Sequence, residues 1–176
     1  MNCDFITKGK KVTCLGALGG VKNIYFGLYA DYGITATAQV VASLGTLVET
    51  FKYEFTGNTN GLTETPTIDW NTGAYLFTQV LTGTFPIQDE ETQHELSLLM
   101  RNRVIVFIED YNSNIKLMGY VNSAKSTNGS AVLGLAKGDL TGYTIELTAE
   151  EPEYSPFLSS TAKTELLATV QNSYIG

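Results

Sequence analysis

The chain is poor in the side chains that most catalytic and metal sites require. Its 176 residues include one histidine and two cysteines, Cys3 and Cys14, which lie near one end. Two thiols in this position do not make a disulfide framework or a zinc site. A single histidine also leaves zinc hydrolysis and Cys–His catalysis without their usual partners. The sequence therefore predicts no catalytic, cofactor-binding or metal-binding residue and no cofactor. We expect that the chain is not an enzyme.

Charged residues are also scarce, at 16% of the chain, whereas a solitary soluble domain carries about a quarter. A surface rich in Thr, Gly, Asn and Tyr favours assembly with other protein, although an all-β domain uses such residues too. The formal net charge of -7 argues against binding of nucleic acid, since phosphate binding depends on Lys and Arg. The densest basic group, Lys8, Lys10 and Lys11, is interpreted as a solvated N-terminal segment.

Long apolar runs are missing as well. No N-terminal stretch has signal-peptide length, and none approaches the roughly 18 apolar residues needed to span a membrane. We expect a protein without a membrane anchor that is made in a cytoplasm-like compartment. The length fits one domain. The Pro-containing stretch EEPEYSPFL (150–158) is interpreted as its end, which gives one β-rich domain over residues 1–158 and a C-terminal tail, 159–176, with a short helix expected in TAKTELLATVQN.

What the chain does contain is period-two alternation, the pattern of half-buried strands. It predicts strands in NIYFGLYAD (23–31), GITATAQVV (33–41), ETFKYEFTG (49–57), YLFTQVLTGTF (75–85), IKLMGYV (115–121), SAVLGLA (130–136) and GYTIELTAEE (142–151). In the last of these, Tyr143, Ile145 and Leu147 are predicted to face the core. Asp31-Tyr32-Gly33 is interpreted as a turn between the first two.

One segment, QDEETQHELSLLMRNR (88–103), follows a helical period instead. Its stripe is Leu96, Leu99, Met100 and Arg103; its first turn holds Asp89, Glu90 and Glu91, and its last turn Arg101 and Arg103, as the helix dipole favours. The predicted fold class is therefore mainly β with one central α-helix, a β-sandwich or small barrel, with a short C-terminal helix.

Residues 57–73, GNTNGLTETPTIDWNTG, are rich in turn-forming residues. Asn60-Gly61 is a hairpin signal, and Pro66 is excluded from a central strand. The segment is interpreted as a long exposed loop or hairpin arm that projects from the domain. Trp70, the single tryptophan, either anchors a contact at the arm or packs the arm back onto the domain.

The strongest candidate for an active site is the pair Glu109 and Asp110, which follows the apolar run Val104–Ile108. Adjacent strand residues point to opposite faces, so these two carboxylates cannot form a catalytic dyad by themselves. The pair is interpreted as the point where a strand leaves the core and meets water.

The remaining candidate motifs do not predict a metal or nucleotide site. His94 lies between Glu90 and Glu95 without a second histidine at metal-binding spacing, and is placed on a solvated helix face. GALGG (16–20) lacks the spacing of a phosphate-binding loop, and GLAKGD (134–139) has a lysine but no following Ser or Thr. Neither is interpreted as a nucleotide site.

The order of elements over residues 71–158 carries a resemblance. The strand NTGAYLFTQVLTGTF, the acidic helix ending in LLMRNR, the hairpin VIVFIEDYNSNIKLMGY and the strand GDLTGYTIELTAEEPE together resemble structural proteins of bacteriophage tails, of the tail-tube, ring or neck kind. The resemblance implies a β-sandwich or small barrel flanked by a helix. It also implies assembly into rings whose sheets line a channel for the genome, with no catalytic residues.

The predicted function is therefore that of a non-enzymatic virion structural protein in a phage tail or neck, made in the host cytoplasm. Its expected partners are itself, neighbouring tail, neck or portal proteins, and genome DNA that passes through the lumen without specific binding. A capsid or tail decoration protein, or an adaptor, is one alternative. The other is a carbohydrate-binding β domain that uses some of the 10 tyrosines.

Overall fold

The computed structural model describes residue 10 and residues 18–55 and 59–171. In chain order its elements are β1 (Val21–Leu28), β2 (Ala36–Thr37), β3 (Val40–Val41), β4 (Thr50–Glu54), β5 (Gly61–Asp69), β6 (Ala74–Pro86), α1 (Glu90–Leu99), β7 (Val104–Asp110), β8 (Ile115–Met118), β9 (Lys125–Leu133), β10 (Thr141–Glu151), β11 (Phe157–Leu158), α2 (Ser160–Thr169) and β12 (Val170–Gln171).

The strands form two sheets. The large sheet has the order β12-β4-β1-β7-β8-β11-β3-β2, and the small sheet has the order β5-β6-β10-β9. Within the described residues neither sheet closes into a barrel. The predicted fold class, mainly β with a helix, is confirmed in its sandwich form.

The apolar run of β7 is explained by the position of this strand in the middle of the large sheet. Val106 faces a cluster between the two sheets, and its neighbour Phe107 faces a second cluster on the opposite side. All five residues Val104–Ile108 are buried because both faces of the sheet are covered. Burying side chains of this size contributes roughly 1.5–3 kcal/mol each.

The outer face of the large sheet is covered by α2 and by residues 42–47. Ala162 and Leu166 of α2 and Leu44 pack against Phe107 and other members of the second cluster. Ser159 caps the helix, since its hydroxyl accepts from the backbone N–H of Ala162 at 3.2 Å. The predicted C-terminal helix is confirmed. The division into a domain of residues 1–158 and a tail of residues 159–176 stays a prediction.

The strand predicted over residues 33–41 is wrong in its continuity. The structure has a tight hairpin there, in which β2 and β3 are joined by Ala38 and Gln39 with φ of 49° and 62°. Positive φ at both central residues defines the turn type that suits hairpins, but its usual Asn-Gly signal is missing here. Contacts from distant residues hold it: the N–H of Phe157 donates to the carbonyl of Gln39 at 2.9 Å.

The hairpin signal at Asn60-Gly61 is also wrong. β4 belongs to the large sheet and β5 to the small one, so this dipeptide lies on the connection between the sheets. The buried Asn60 instead accepts a hydrogen bond from the N–H of Thr84 at 2.8 Å. Pro66 lies on β5, an outer strand, as the exclusion from central strands required.

The central helix α1 begins as predicted and ends earlier. The side chain of Asp89 accepts from the N–H of Thr92 at 2.7 Å, and the Thr92 hydroxyl and N–H hold the pKa of Asp89 below its usual value. The helix stops at Leu99, so Arg101 and Arg103 lie outside its last turn. Only Leu96 of the predicted stripe is buried.

Candidate assembly surface

The small sheet has two long strands whose outer edges are unpaired among the described residues. These are β5 and β9, of nine residues each. In β9 every residue but Ser126 is exposed, and β5 is exposed from Thr65 onward. The large sheet, in contrast, ends in β12 and β2, which have two residues each. Short outer strands protect a sheet from adding further strands, whereas long unpaired ones offer a row of free backbone donors and acceptors.

The hairpin of β5 and β6 extends beyond the rest of the small sheet. The last pair between β10 and β6 is Glu151 with Phe77, and the hairpin continues for three more residue pairs, to Asp69 with Ala74. Asp69 stabilises the turn that follows, because its carboxylate accepts from the N–H of Asn71 at 2.9 Å. These residues fall in the segment that was predicted to project, of which residues 56–58 lie outside the described residues.

Trp70 lies in the turn of this hairpin, with 88% of its surface exposed. In the single chain, Trp70 therefore does not pack back onto the domain, which was one of the two roles predicted for it. Ile68 and Tyr75 beside it are also more than half exposed.

The outward face of the small sheet is covered with hydroxyl groups. Because Tyr143, Ile145 and Leu147 of β10 point into the core, as predicted, the alternate residues and their cross-strand partners point outward. The outward hydroxyl residues are Thr63, Thr65, Thr67, Thr78, Thr82, Thr84, Thr127, Ser130, Thr144 and Thr148.

The charges on this outward face are few and mostly negative. Glu146 and Glu150 lie on β10, and Lys125 on β9 is the one basic residue among the described outward positions. Neighbouring hydroxyls bond to each other, as in the 3.0 Å contact of Thr127 with Thr148. The face is therefore polar and nearly free of cations over its described residues.

Glu109 and Asp110 have separate structural roles. Glu109 accepts from the side-chain amide of Asn23 at 2.6 Å and from the hydroxyl of Tyr25 at 2.9 Å, which ties β7 to β1. Asp110 accepts from the N–H groups of Asn112 and Asn114, each at 2.8 Å, and so closes the hairpin turn. Burial alone would raise the pKa of Asp110, but the hydrogen bonds from Asn114 and Asn112 bring it below its usual value.

The other sequence candidates lie apart from one another. His94 is exposed on α1, at the rim of a wide depression that also includes Gln93 and Tyr143. GLAKGD forms the turn between β9 and β10, where the carboxylate of Asp139 accepts from the N–H of Ala136 at 2.8 Å. Residues 16 and 17 of GALGG, with Lys8 and Lys11, lie outside the described residues. The prediction that none of these is a catalytic or binding residue stays a prediction.

A buried carboxylate, Glu151, was missed by the sequence analysis. It is fully buried at the end of β10, where one carboxylate oxygen accepts from the N–H of Asn122 at 2.9 Å and the other has no partner among the described residues. Burial raises the pKa of Glu151, and the N–H groups of Asn122 and Val121 offset part of this effect. The alternation of β10 contained the signal, since Glu151 shares the face of Tyr143 and Leu147.

Three half-buried tyrosines, Tyr29, Tyr32 and Tyr120, line a cleft of about 340 Å³ at the end of β1. The hydroxyl of Tyr29 donates to the carbonyl of Val121, and the guanidinium of Arg103 lies 4.8 Å from the centre of the Tyr29 ring. Burial, with the negative charges of Glu153 and Glu151, raises the pKa of Tyr120.

Comparisons with known proteins add little to this geometry. Among the described residues, no helix is long and apolar enough to cross a membrane, and no group of three or more metal-ligating side chains occurs. No protein family and no curated protein matches the chain. Among solved structures, the chain is similar to a chain of the anti-feeding prophage baseplate, a sixfold-symmetrised cryo-EM structure, with 11% identity and a TM-score of 0.37 over 79% of this chain and 97% of that one. A TM-score this low carries no argument about fold or function.

Proposed function

We propose that this chain is a non-enzymatic structural subunit of a phage tail or neck, and that it assembles with its own copies into a ring around a channel. The observation that carries the proposal is the contrast between the two sheets. The large sheet ends in strands of two residues, whereas the small sheet ends in two strands of nine. An isolated soluble chain gains nothing from two long open edges, which expose it to uncontrolled aggregation.

In the proposed ring, β5 of one copy pairs with β9 of the next. Since the two edges differ, this contact is heterologous, and it closes into a ring when the rotation between copies divides a full turn. Pro66 has no N–H to donate, so we expect continuous pairing to run over residues 61–65 of β5. Each copy then offers one edge to each neighbour, and no edge of the small sheet stays open.

The hydroxyl-covered face of the small sheet is the face proposed to line the channel. Its carboxylates, Glu146 and Glu150, repel the phosphates of DNA. Because the face has almost no Lys or Arg, it does not bind these phosphates. The threonine hydroxyls hydrate this face of the channel without binding DNA specifically. Neighbouring tail, neck or portal proteins are the further partners, and the virion tail is the proposed location.

The mass of the particle in solution, measured by light scattering after size exclusion, tests this proposal. We expect the wild-type mass to rise with concentration to a defined multiple of 19.1 kDa. The double variant Thr63→Lys, Thr65→Lys adds charge to the open edge of β5 and should remain monomeric. The matched control Thr78→Lys, Thr82→Lys changes outward threonines of the internal strand β6 and should assemble. Equal behaviour of the two double variants contradicts pairing through β5.

The tyrosine-lined cleft favours a second candidate function, the binding of a carbohydrate through stacking on aromatic rings. Tyr29, Tyr32 and Tyr120 supply the rings and Asp31 an exposed carboxylate at the same cleft. A glycan array probed with the wild type and with Tyr120→Ala tests it. Binding that the substitution abolishes supports this function, and an array without binding removes it.

A further inference from the structure

The sequence contains two Asn-Gly pairs, Asn60-Gly61 and Asn128-Gly129. In such a pair the backbone nitrogen of the glycine can attack the side-chain carbonyl carbon of the asparagine, because glycine has no Cβ to hinder the approach. Asparagine is for this reason one of the chemically labile residues of proteins. The two pairs have different surroundings in the fold, and the structure distinguishes which of them reacts.

Asn60 is held away from this reaction. The residue is 6% exposed, and its Oδ1 accepts from the N–H of Thr84 on β6 at 2.8 Å. Reaction with Gly61 requires that this hydrogen bond breaks and that the buried side chain turns toward its own backbone. Local opening of this kind costs free energy, so Asn60 is protected in the folded chain.

Asn128 has the opposite surroundings. Asn128 and Gly129 are both exposed on β9, an outer strand of the small sheet. The N–H of Gly129 donates to Oδ1 of Asn128 at 2.9 Å. The carbonyl carbon bonded to that oxygen therefore lies beside the nitrogen that attacks it.

The backbone at Asn128 is paired on one side only among the described residues. In the pairing with β10, Asn128 lies opposite Glu146. The next residue of β10, Leu147, lies opposite Ser126, so Thr127 is the extra residue of a β-bulge. Closure of the new ring requires rotation about the backbone of Asn128, and an outer strand beside a bulge restrains this rotation less than an inner strand does.

We propose that Asn128 is a site of spontaneous deamidation, and that its products inactivate the open edge of β9. The nitrogen of Gly129 forms a bond to Cγ of Asn128, the bond from Cγ to Nδ2 breaks, and ammonia leaves with the proton of the Gly129 nitrogen. Water then opens the resulting succinimide at either carbonyl, which gives aspartate or isoaspartate. Water is the only co-reactant that the conversion requires.

Both products disturb β9. Each adds a negative charge directly opposite Glu146, and like charges at opposed positions destabilise a strand pair. Isoaspartate also carries the main chain through the side-chain carbon, so the backbone gains one carbon and the regular spacing of donors and acceptors along β9 is lost. The effect on the edge rests on the proposed pairing of β9 with β5 of a second copy.

Assembly should in turn protect Asn128, because β9 is paired on both sides in the proposed ring. The reaction therefore limits the period in which a free copy can join a ring. Assembled wild type should convert several-fold more slowly than the double variant Thr63→Lys, Thr65→Lys at the same concentration. Equal rates in an assembled wild type and this variant overturn the protection.

Peptide mapping by mass spectrometry measures the conversion at each asparagine. Trypsin releases Asn128 in the peptide 126–137 and Asn60 in the peptide 53–101. In the dilute folded chain we expect Asn128 to convert at least about tenfold faster than Asn60, because Asn60 reacts only after local opening. In denaturant the two should convert at similar rates, since glycine follows both. Equal rates in the folded chain, or no conversion at Asn128, overturn the inference.

Aged protein tests the effect on the edge. The wild type and Asn128→Ser, which has no side-chain amide to lose, are kept dilute until the wild type has converted, and both are then concentrated. We expect the aged wild type to lose most of its assembly in light scattering, and aged Asn128→Ser to assemble like fresh protein. Full assembly of the converted wild type, or equal loss in the two proteins, overturns inactivation of the edge.

The inference and the proposed function fail in different ways. Fresh wild type that stays monomeric at every concentration overturns ring assembly and the effect on the edge, whereas the peptide map still decides the deamidation. Fresh wild type that assembles, but keeps Asn128 unconverted in the dilute chain, overturns the deamidation and leaves ring assembly intact.

Discussion

At single positions, the effect of a side chain depends on which face of its strand it occupies. On β10 the alternation places Tyr143, Ile145 and Leu147 in the core, and Glu151 continues the same face. The carboxylate is thus buried by register, with one oxygen unpartnered among the described residues. On β7 no face is exposed until Glu109, so five apolar residues in a row are needed there.

A charge placed in the middle of β7 should unfold the chain. Val106 is fully buried between the sheets, and Val106→Asp removes its packing and buries a carboxylate without a partner. The expected loss is about 5 kcal/mol or more, comparable to the whole unfolding free energy of a small domain. Circular dichroism should show loss of the β signal. Val48→Asp, at a 76% exposed valine, is the control and should leave the spectrum unchanged.

Glu151 should make the protein less stable as pH rises. Its pKa is raised in the folded state from its ordinary 4.5, so the folded state binds the proton more tightly than the unfolded state does. The stabilisation is complete below 4.5 and is lost as pH rises through the folded pKa.

Glu151→Gln removes this dependence and should raise the melting temperature at pH 7, by about 2–4 °C if roughly 1 kcal/mol is recovered. Melting curves of both proteins between pH 4 and pH 8 check it. A variant that melts below the wild type at pH 7 would contradict the unfavourable burial of this charge.

Glu109→Gln, which keeps an acceptor for Asn23 or Tyr25, should leave folding and assembly nearly unchanged.

Among the helices and strands, the sequence predicts the positions of those whose hydrophobic pattern is strong locally. The alternation places β6 and β10 within one or two residues, and the acidic segment after Pro86 places the start of α1. The hairpin at Ala38 and Gln39 was missed, because its backbone is imposed by Phe157, which is remote in sequence. The end of α1 was missed because Arg103 continues the helical period although it belongs to the entry of β7.

The cap of α2 gives a test at this scale. Ser159→Ala removes the hydroxyl that accepts from the N–H of Ala162 and donates to the carbonyl of Ala42. The expected loss is about 1 kcal/mol of unfolding free energy. Urea denaturation of this variant beside Ser160→Ala, which changes the first helical residue instead, isolates the cap. Equal losses in the two variants would show that the cap does not stabilise α2.

For the whole molecule, the strand order decides the function that can be proposed. Local patterns predict a loop or hairpin arm over residues 57–73 and a strand over residues 130–136, where the structure has β5 (Gly61–Asp69) and β9 (Lys125–Leu133). They do not indicate that β5 and β9 are the outermost strands, because strand order depends on pairings between distant segments. Long open edges, a hydroxyl-covered face and exposed apolar ends all belong to the small sheet. The large sheet, covered on both faces, contributes the core that holds the small sheet in place.

Negative-stain electron microscopy of the concentrated protein tests ring assembly most directly. We expect the wild type to form closed rings of uniform size with a central opening, and the double variant Thr63→Lys, Thr65→Lys to form none. Single-chain particles at every concentration, with no ordered assembly even when tail proteins are added, would contradict it.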